Sequence, residues 1–314
     1  MNGFVTIISV IFFTILIGQE IKKIDFKKYP VLPAQNFIPT PEQVAYKTRI
    51  KNINQSIIPF DYLVALNDQQ AGEEDKKQLL QYVRYYQYII EGFPEMAEAY
   101  GMLGFLNYHL GNFELAADYF QKAVYLNPRF LWFRYNLAVL YFRAGRFDMV
   151  IEILKDDPGI KPQEIVKELY GSKIYLQLLR SGLSGEDVLV GIREVYYRNI
   201  NLQVLSCYRL KKFPPMYAAA VQGLAMGLGQ DAIFNYYAGV SLYFMDELDK
   251  SIERFKSSLA AEPNFAESCW FLAMALQKKG DLPQAAKYFQ LSQSLKNSKQ
   301  TILPSPDQFH LKIF

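Results

Sequence analysis

Pro94, Pro128 and Pro162 stand 34 residues apart, and Pro263 comes 101 residues later, one short of three further periods. Proline disrupts a helix interior but is at home at a helix start. A proline returning at this interval marks where one helical unit ends and the next begins.

The residues between the prolines repeat as well. When each window is numbered so that proline falls at position 32, the window from Ala97 puts Leu103, Gly104, Gly111, Phe113, Ala116, Phe120 and Ala123 at 7, 8, 15, 17, 20, 24 and 27. The window from Ala232 gives Ala238, Gly239, Leu248, Ser251, Phe255 and Ser258 at 7, 8, 17, 20, 24 and 27. The window from Ala266 gives Leu272, Ala273, Gly280, Leu282, Ala285, Phe289 and Ser292 at 7, 8, 15, 17, 20, 24 and 27. The window from Leu131 matches in its first helix, through Leu137, Ala138, Gly145 and Phe147. Small residues at 8, 20 and 27 let two antiparallel helices approach closely, and large residues at 7, 17 and 24 fill the space between them. Glycine at 15 ends the first helix in the left-handed conformation it tolerates best.

This pattern resembles the tetratricopeptide repeat, closely over 97–164 and 232–297 and loosely over 63–96 and 165–231. The resemblance implies an all-α fold, a right-handed solenoid of helix-turn-helix repeats, with about six to seven repeats across 61–297. In the divergent stretch, Glu164 to Arg180, Glu186 to Arg198, Leu202 to Lys211 and Pro215 to Leu228 read as separate helices. Upstream, Lys76 to Glu91 reads as a helix, with Asp61 to Ala71 as a candidate mate. The tail, 298–314, leaves the pattern, and Pro304 and Pro306 argue against helix there.

The resemblance also implies a concave groove lined by positions 2, 5, 9, 12 and 13. Here these are Phe105, Tyr108 and His109, then Trp132, Tyr135, Val139, Phe142 and Arg143. Ile233, Tyr236, Val240, Tyr243 and Phe244 come next, then Trp270, Met274, Gln277 and Lys278. Aromatic anchors of this kind suit a peptide or helix of a partner protein. The alternative is that these residues are core, or are covered by the chain's own tail. Phe309-His310-Leu311-Lys312-Ile313-Phe314 alternates apolar with polar and is a candidate cover, in this chain or in another. Family members that clamp a chaperone's terminal carboxylate use lysine, asparagine and arginine side chains at fixed groove positions. Of that set only Asn136 is matched, so carboxylate-clamp binding is not expected.

Residues 1–20 open with an uncharged apolar run, Met1 to Gly18, and Lys22, Lys23, Lys27 and Lys28 come after it. Eighteen helical residues span about 27 Å, close to a hydrocarbon core. The run lacks a basic leader and a small-x-small cleavage site, which favours a single-pass anchor over a signal peptide or a buried helix. The flanking lysines favour a cytoplasmic solenoid by the positive-inside rule, although short apolar leaders also export the domain behind them. Residues 21–60 form a linker and entry segment, with four prolines between Tyr29 and Pro41.

Composition removes other classes. Net charge is +3, from 34 basic and 31 acidic residues, with no basic face, so nucleic acid is not an expected partner. Two cysteines, Cys207 and Cys269, and two histidines, His109 and His310, offer no disulfide framework and little for a metal. Gly223, Gly227 and Gly229 lack the lysine of a phosphate loop. Neither cofactor nor catalysis is expected. The expectation is a membrane-tethered protein-interaction scaffold. A self-assembling array is the alternative, and a lipid or small-molecule carrier the third reading.

Overall fold

The computed structural model describes residues 72–128, 131–155, 185–296, 302–304 and 309–312. Among these residues there are eleven α-helices and no strand. They are α1 (Glu73–Gly92), α2 (Ala97–His109), α3 (Phe113–Leu126), α4 (Leu131–Arg143), α5 (Phe147–Leu154), α6 (Gly185–Arg209), α7 (Phe213–Ala225), α8 (Asp231–Phe244), α9 (Leu248–Ala261), α10 (Ala266–Lys279) and α11 (Leu282–Lys296). Each helix packs on its successor in this series, and α6 packs on α4 as well as α5 and α7. Contacts between chain neighbours, pair after pair, are the organisation of a solenoid.

The close-approach positions settle the register. A Cβ added at Gly104 would meet the Phe120 ring at 2.8 Å, and one at Gly239 would meet the Phe255 ring at 2.6 Å. These are positions 8 and 24 of two different repeats, in the same contact. The serines repeat their bonds too. Ser258 Oγ donates to the Ala232 carbonyl at 2.8 Å and Ser292 Oγ to the Ala266 carbonyl at 2.9 Å, linking the second helix of a pair to the start of the first.

The first helices of the pairs are the buried ones. Nearly every residue of α4, and most of α2, α8 and α10, is buried, whereas α3, α9 and α11 bury one stripe each. An inner helix touches its mate and both neighbouring pairs, so it needs apolar residues all round.

The left-handed helix ends recur at Gly111, Gly145, Lys211, Asp246 and Gly280, with φ of 84°, 72°, 55°, 66° and 93°. Lys211 and Asp246 occupy a conformation that L-residues adopt at a cost. Lys211 reveals a repeat that the sequence pattern marks only loosely, because its marker glycine is absent.

The divergent region differs from expectation. Glu186 to Arg198 and Leu202 to Lys211 are not two helices but one, α6, of 25 residues. No proline or glycine interrupts it at 199–201. Asn201, a weak helix former, is satisfied in place: its Nδ2 donates to the Tyr197 carbonyl at 2.7 Å, and its Oδ1 accepts from Tyr237 Oη at 2.8 Å. The helix spans two apolar cores. Ile192, Val195, Tyr196 and Leu202 join the core of α1–α5, and Ile200, Val204, Cys207 and Tyr208 join that of α7–α11.

Residues 1–71, with the apolar run, the linker and the candidate helix at 61–71, lie outside the described residues, as does the candidate helix at 164–180. Among the described residues no helix is long and apolar enough to cross a membrane.

Candidate functional site

Tyr135, Asn136, Phe142 and Arg143 project from one side of α4. Positions 135 and 136 lie two turns before 142 and 143, so the four make a strip along the helix. Residues 309–312 of the tail, outside any helix or strand, lie on that strip and run from Arg143 toward Asn136.

The grip is mainly on the tail's backbone. Asn136 holds Lys312 twice: its Nδ2 donates to the Lys312 carbonyl at 2.6 Å, and its Oδ1 accepts from the Lys312 N–H at 2.8 Å. Tyr135 Oη donates to the His310 carbonyl at 2.7 Å. Arg143 donates to the Phe309 carbonyl through Nη2 at 2.9 Å and Nε at 3.2 Å. An amide that reads both N–H and C=O of one residue recognises extended backbone whatever the side chain.

Side chains add selectivity. Phe309 and Leu311 are buried in the core of α1–α5, and the Phe309 ring lies edge-on to Phe142 with centroids 5.9 Å apart. Lys312 Nζ pairs with Glu194 Oε2 on α6 at 3.0 Å. Glu194 also takes Arg198 Nη2 at 2.6 Å, and Arg198 Nη1 donates to Tyr135 Oη at 3.4 Å. Burial works against the Glu194 carboxylate, but hydrogen bonds from Arg198 and Lys312 outweigh it and hold its carboxyl below the usual range.

His310 sits with Nδ1 3.0 Å from Arg143 Nη2. Arginine has only donors, so this Nδ1 is the accepting nitrogen. The Arg143 guanidinium also lies over the Tyr108 ring, 5.8 Å from its centroid. His109 is packed between Phe105 and Tyr108, at 4.5 and 5.3 Å between ring centroids. Burial, helped by the nearby His310, pulls the His109 pKa down to about 4, so the ring is neutral.

The expected groove residues thus divide. Tyr108, His109, Tyr135, Phe142 and Arg143 gather around the tail, and Phe105 backs His109. Trp132 is buried in the same core. In the second half Tyr236 is 1% exposed and wrapped by Tyr237, Phe255, Phe265 and Phe271, so it fills the core instead of lining an open surface. Trp270 packs on Phe289 of its own pair's second helix, at 4.8 Å. Tyr243 and Phe244 are half-buried beside Phe271, and exposed Lys278 lies over Tyr243 and pairs with Asp246 at 2.6 Å. Glu194 and Arg198 were not anticipated; their one signal is an acid–base pair four residues apart. Cys207 and Cys269 are buried, and desolvation pushes each thiol up to about 11, the inert end of thiol behaviour.

Family models for the tetratricopeptide repeat match residues 97–130 and 266–299. No curated protein matches the chain in sequence. Among solved structures, MamA from Desulfovibrio magneticus RS-1 is 14% identical, covering 65% of this chain and 97% of its own, with a TM-score of 0.45. YrrB, described as a TPR protein with an unusual peptide-binding site, is 13% identical over 68% of this chain and 92% of its own, with a TM-score of 0.47. BtubC from P. vanneervenii is 16% identical over 74% of this chain and 94% of its own, with a TM-score of 0.43. Scores at this level carry no functional weight. The two matched segments, and the packing register that recurs between 97–130 and 232–265, show that the chain contains tetratricopeptide repeats.

Proposed function

We propose that this protein is a membrane-tethered interaction scaffold whose α4 strip, flanked by α2 and α6, receives an extended segment of a partner protein. The observation that carries the reading is the backbone grip of Tyr135, Asn136 and Arg143 on residues 309–312. Such a grip suits any extended peptide of compatible side chains. Aromatic side chains beside it give burial without much loss of side-chain freedom. Tethering rests on the apolar run at 1–18 and the lysines after it, with the cytoplasmic side favoured by those lysines.

The test is affinity capture from gently solubilised membranes, comparing the full chain with an Asn136→Ala, Arg143→Ala variant of unchanged helicity. Proteins held by the wild type and lost by the variant are expected, and carbonate-resistant sedimentation of the full chain is expected alongside. Identical capture by both chains removes the α4 strip from consideration. Complete release by carbonate removes the anchor.

A further inference from the structure

We infer that the tail is a resident self-ligand: residues 309–312 occupy the α4 strip in the same chain and keep out any partner whose segment lacks the same chemistry. That chemistry is a large apolar residue, a polar one, an aliphatic one and a cation, in extended form. The inference rests on the groove reading of the proposed function and names what the groove selects.

Four observations carry it. First, the occupied site has a built polar lining: Asn136 is 2% exposed and engages both backbone groups of Lys312. Second, the side-chain positions are matched in kind. Phe309 and Leu311, alternate residues of the tail, go to the apolar core. Lys312 goes to the carboxylate of Glu194, which Arg198 orients. Third, no helix or strand holds the described tail residues there. Residues 309–312 are held by their contacts with α4, α6 and the core of α1–α5, while Ile302 and Leu303 pack on the core of α7–α11.

Fourth, the fit is incomplete. Tyr108 Oη and both ring nitrogens of His109 lie beside the tail, buried, with no hydrogen-bond partner among the described residues. Desolvated polar groups of this kind subtract from the affinity that apolar burial supplies. A partner segment that brings a hydrogen-bonding side chain to His109 therefore outbinds the tail contact for contact. The tail's advantage is that it is attached, which gives it a high effective concentration. A tethered weak ligand competing with a free stronger one is a threshold device: the groove opens to a matching partner and stays closed to others.

The experiment uses the full chain and a fluorescein-labelled peptide of residues 303–314, read by anisotropy. A full chain carrying Phe309→Asp with Leu311→Asp, checked for native helicity, has its groove vacated. It is expected to bind the peptide on the order of 10- to 100-fold more tightly than wild type, since the wild-type tail competes. A peptide with Lys312→Glu is expected to bind the vacated chain at least about tenfold more weakly, and Glu194→Gln in the chain to narrow that difference. Equal binding of the peptide by both chains overturns the self-ligand. So does a wild-type mass twice that of the vacated variant, because the tail then docks in a second copy. If the vacated chain ignores this peptide but binds other extended peptides in an Asn136-dependent way, the self-ligand falls and the groove reading stands. If Asn136→Ala changes no peptide's binding, both fall.

Discussion

At the scale of residues, the site was legible where side chains are distinctive and hidden where they act through backbone. Phe142, Arg143, Tyr135 and Tyr108 follow from repeat position alone. Asn136 is visible only as one isolated match to a clamp whose cations are missing, because reading a peptide backbone needs no charge and so leaves no compositional trace. Tyr236 and Trp270 misled for a related reason. An aromatic at a first-helix position serves core and groove equally well, and only the neighbours, Phe265 and Phe271 for one and Phe289 for the other, decide which. His109 gives the residue-scale prediction. Its pKa falls from 6.5 to about 4 on folding, so the unfolded chain takes a proton first as pH drops. Its contribution is fully present above pH 6.5 and is lost as pH falls to 4. The total loss is about 3 kcal/mol by linkage. His109→Phe keeps the ring contacts with Phe105 and Tyr108 and is expected to flatten the urea-midpoint profile across that window. An unchanged acid slope in the variant would place the titration elsewhere.

At the scale of elements, helix pairs were readable because their spacing rule is steric. A glycine at position 8 predicts a large ring opposite, and Phe120 and Phe255 are there. The rule fails at α6, where neither a marker glycine nor a proline divides the chain. A search for pairs imposes a break that helix-compatible residues do not make. That one long element also conceals Glu194 and Arg198, since a residue cannot be assigned to a groove before its helix has a register. The register itself is testable at Gly104. Gly104→Leu drives four extra carbons toward the Phe120 ring and is expected to destabilise by about 3 kcal/mol, the upper end for overpacking a tight contact. Pairing it with Phe120→Ala opens the space, so the double variant should lose well less stability than the sum of the two single losses. Thermal denaturation followed by circular dichroism reads both. A single variant melting with wild type would mean that positions 8 and 24 do not face each other.

At the scale of the whole molecule, the solenoid is two cores joined by α6; the end of the tail is sealed into the first, while Ile302 and Leu303 pack on the second. Phe309 and Leu311 bury against α1–α5, while α7–α11 close without them. The tail therefore does two jobs from one position: it fills the strip on α4 and it completes the core behind that strip. In a linear array, stability is the sum of local terms and neighbour interfaces, so a loss at one place is felt nearby and decays along the chain. Removing the two apolar tail contacts with Phe309→Asp and Leu311→Asp forgoes about 2–4 kcal/mol of burial, taking some residual packing into account. Hydrogen exchange on the full chain is expected to show that loss as faster exchange at amides of α2 and α4. Protection at α9 and α10 should stay as it was, and α6 should divide near residues 199–201, its first half tracking α4 and its second half tracking α7. Uniform loss through α10 would mean that α6 fuses the two cores into one cooperative unit. Partner binding on the α4 strip would then be felt at the far end of the array, and not only where the tail is displaced.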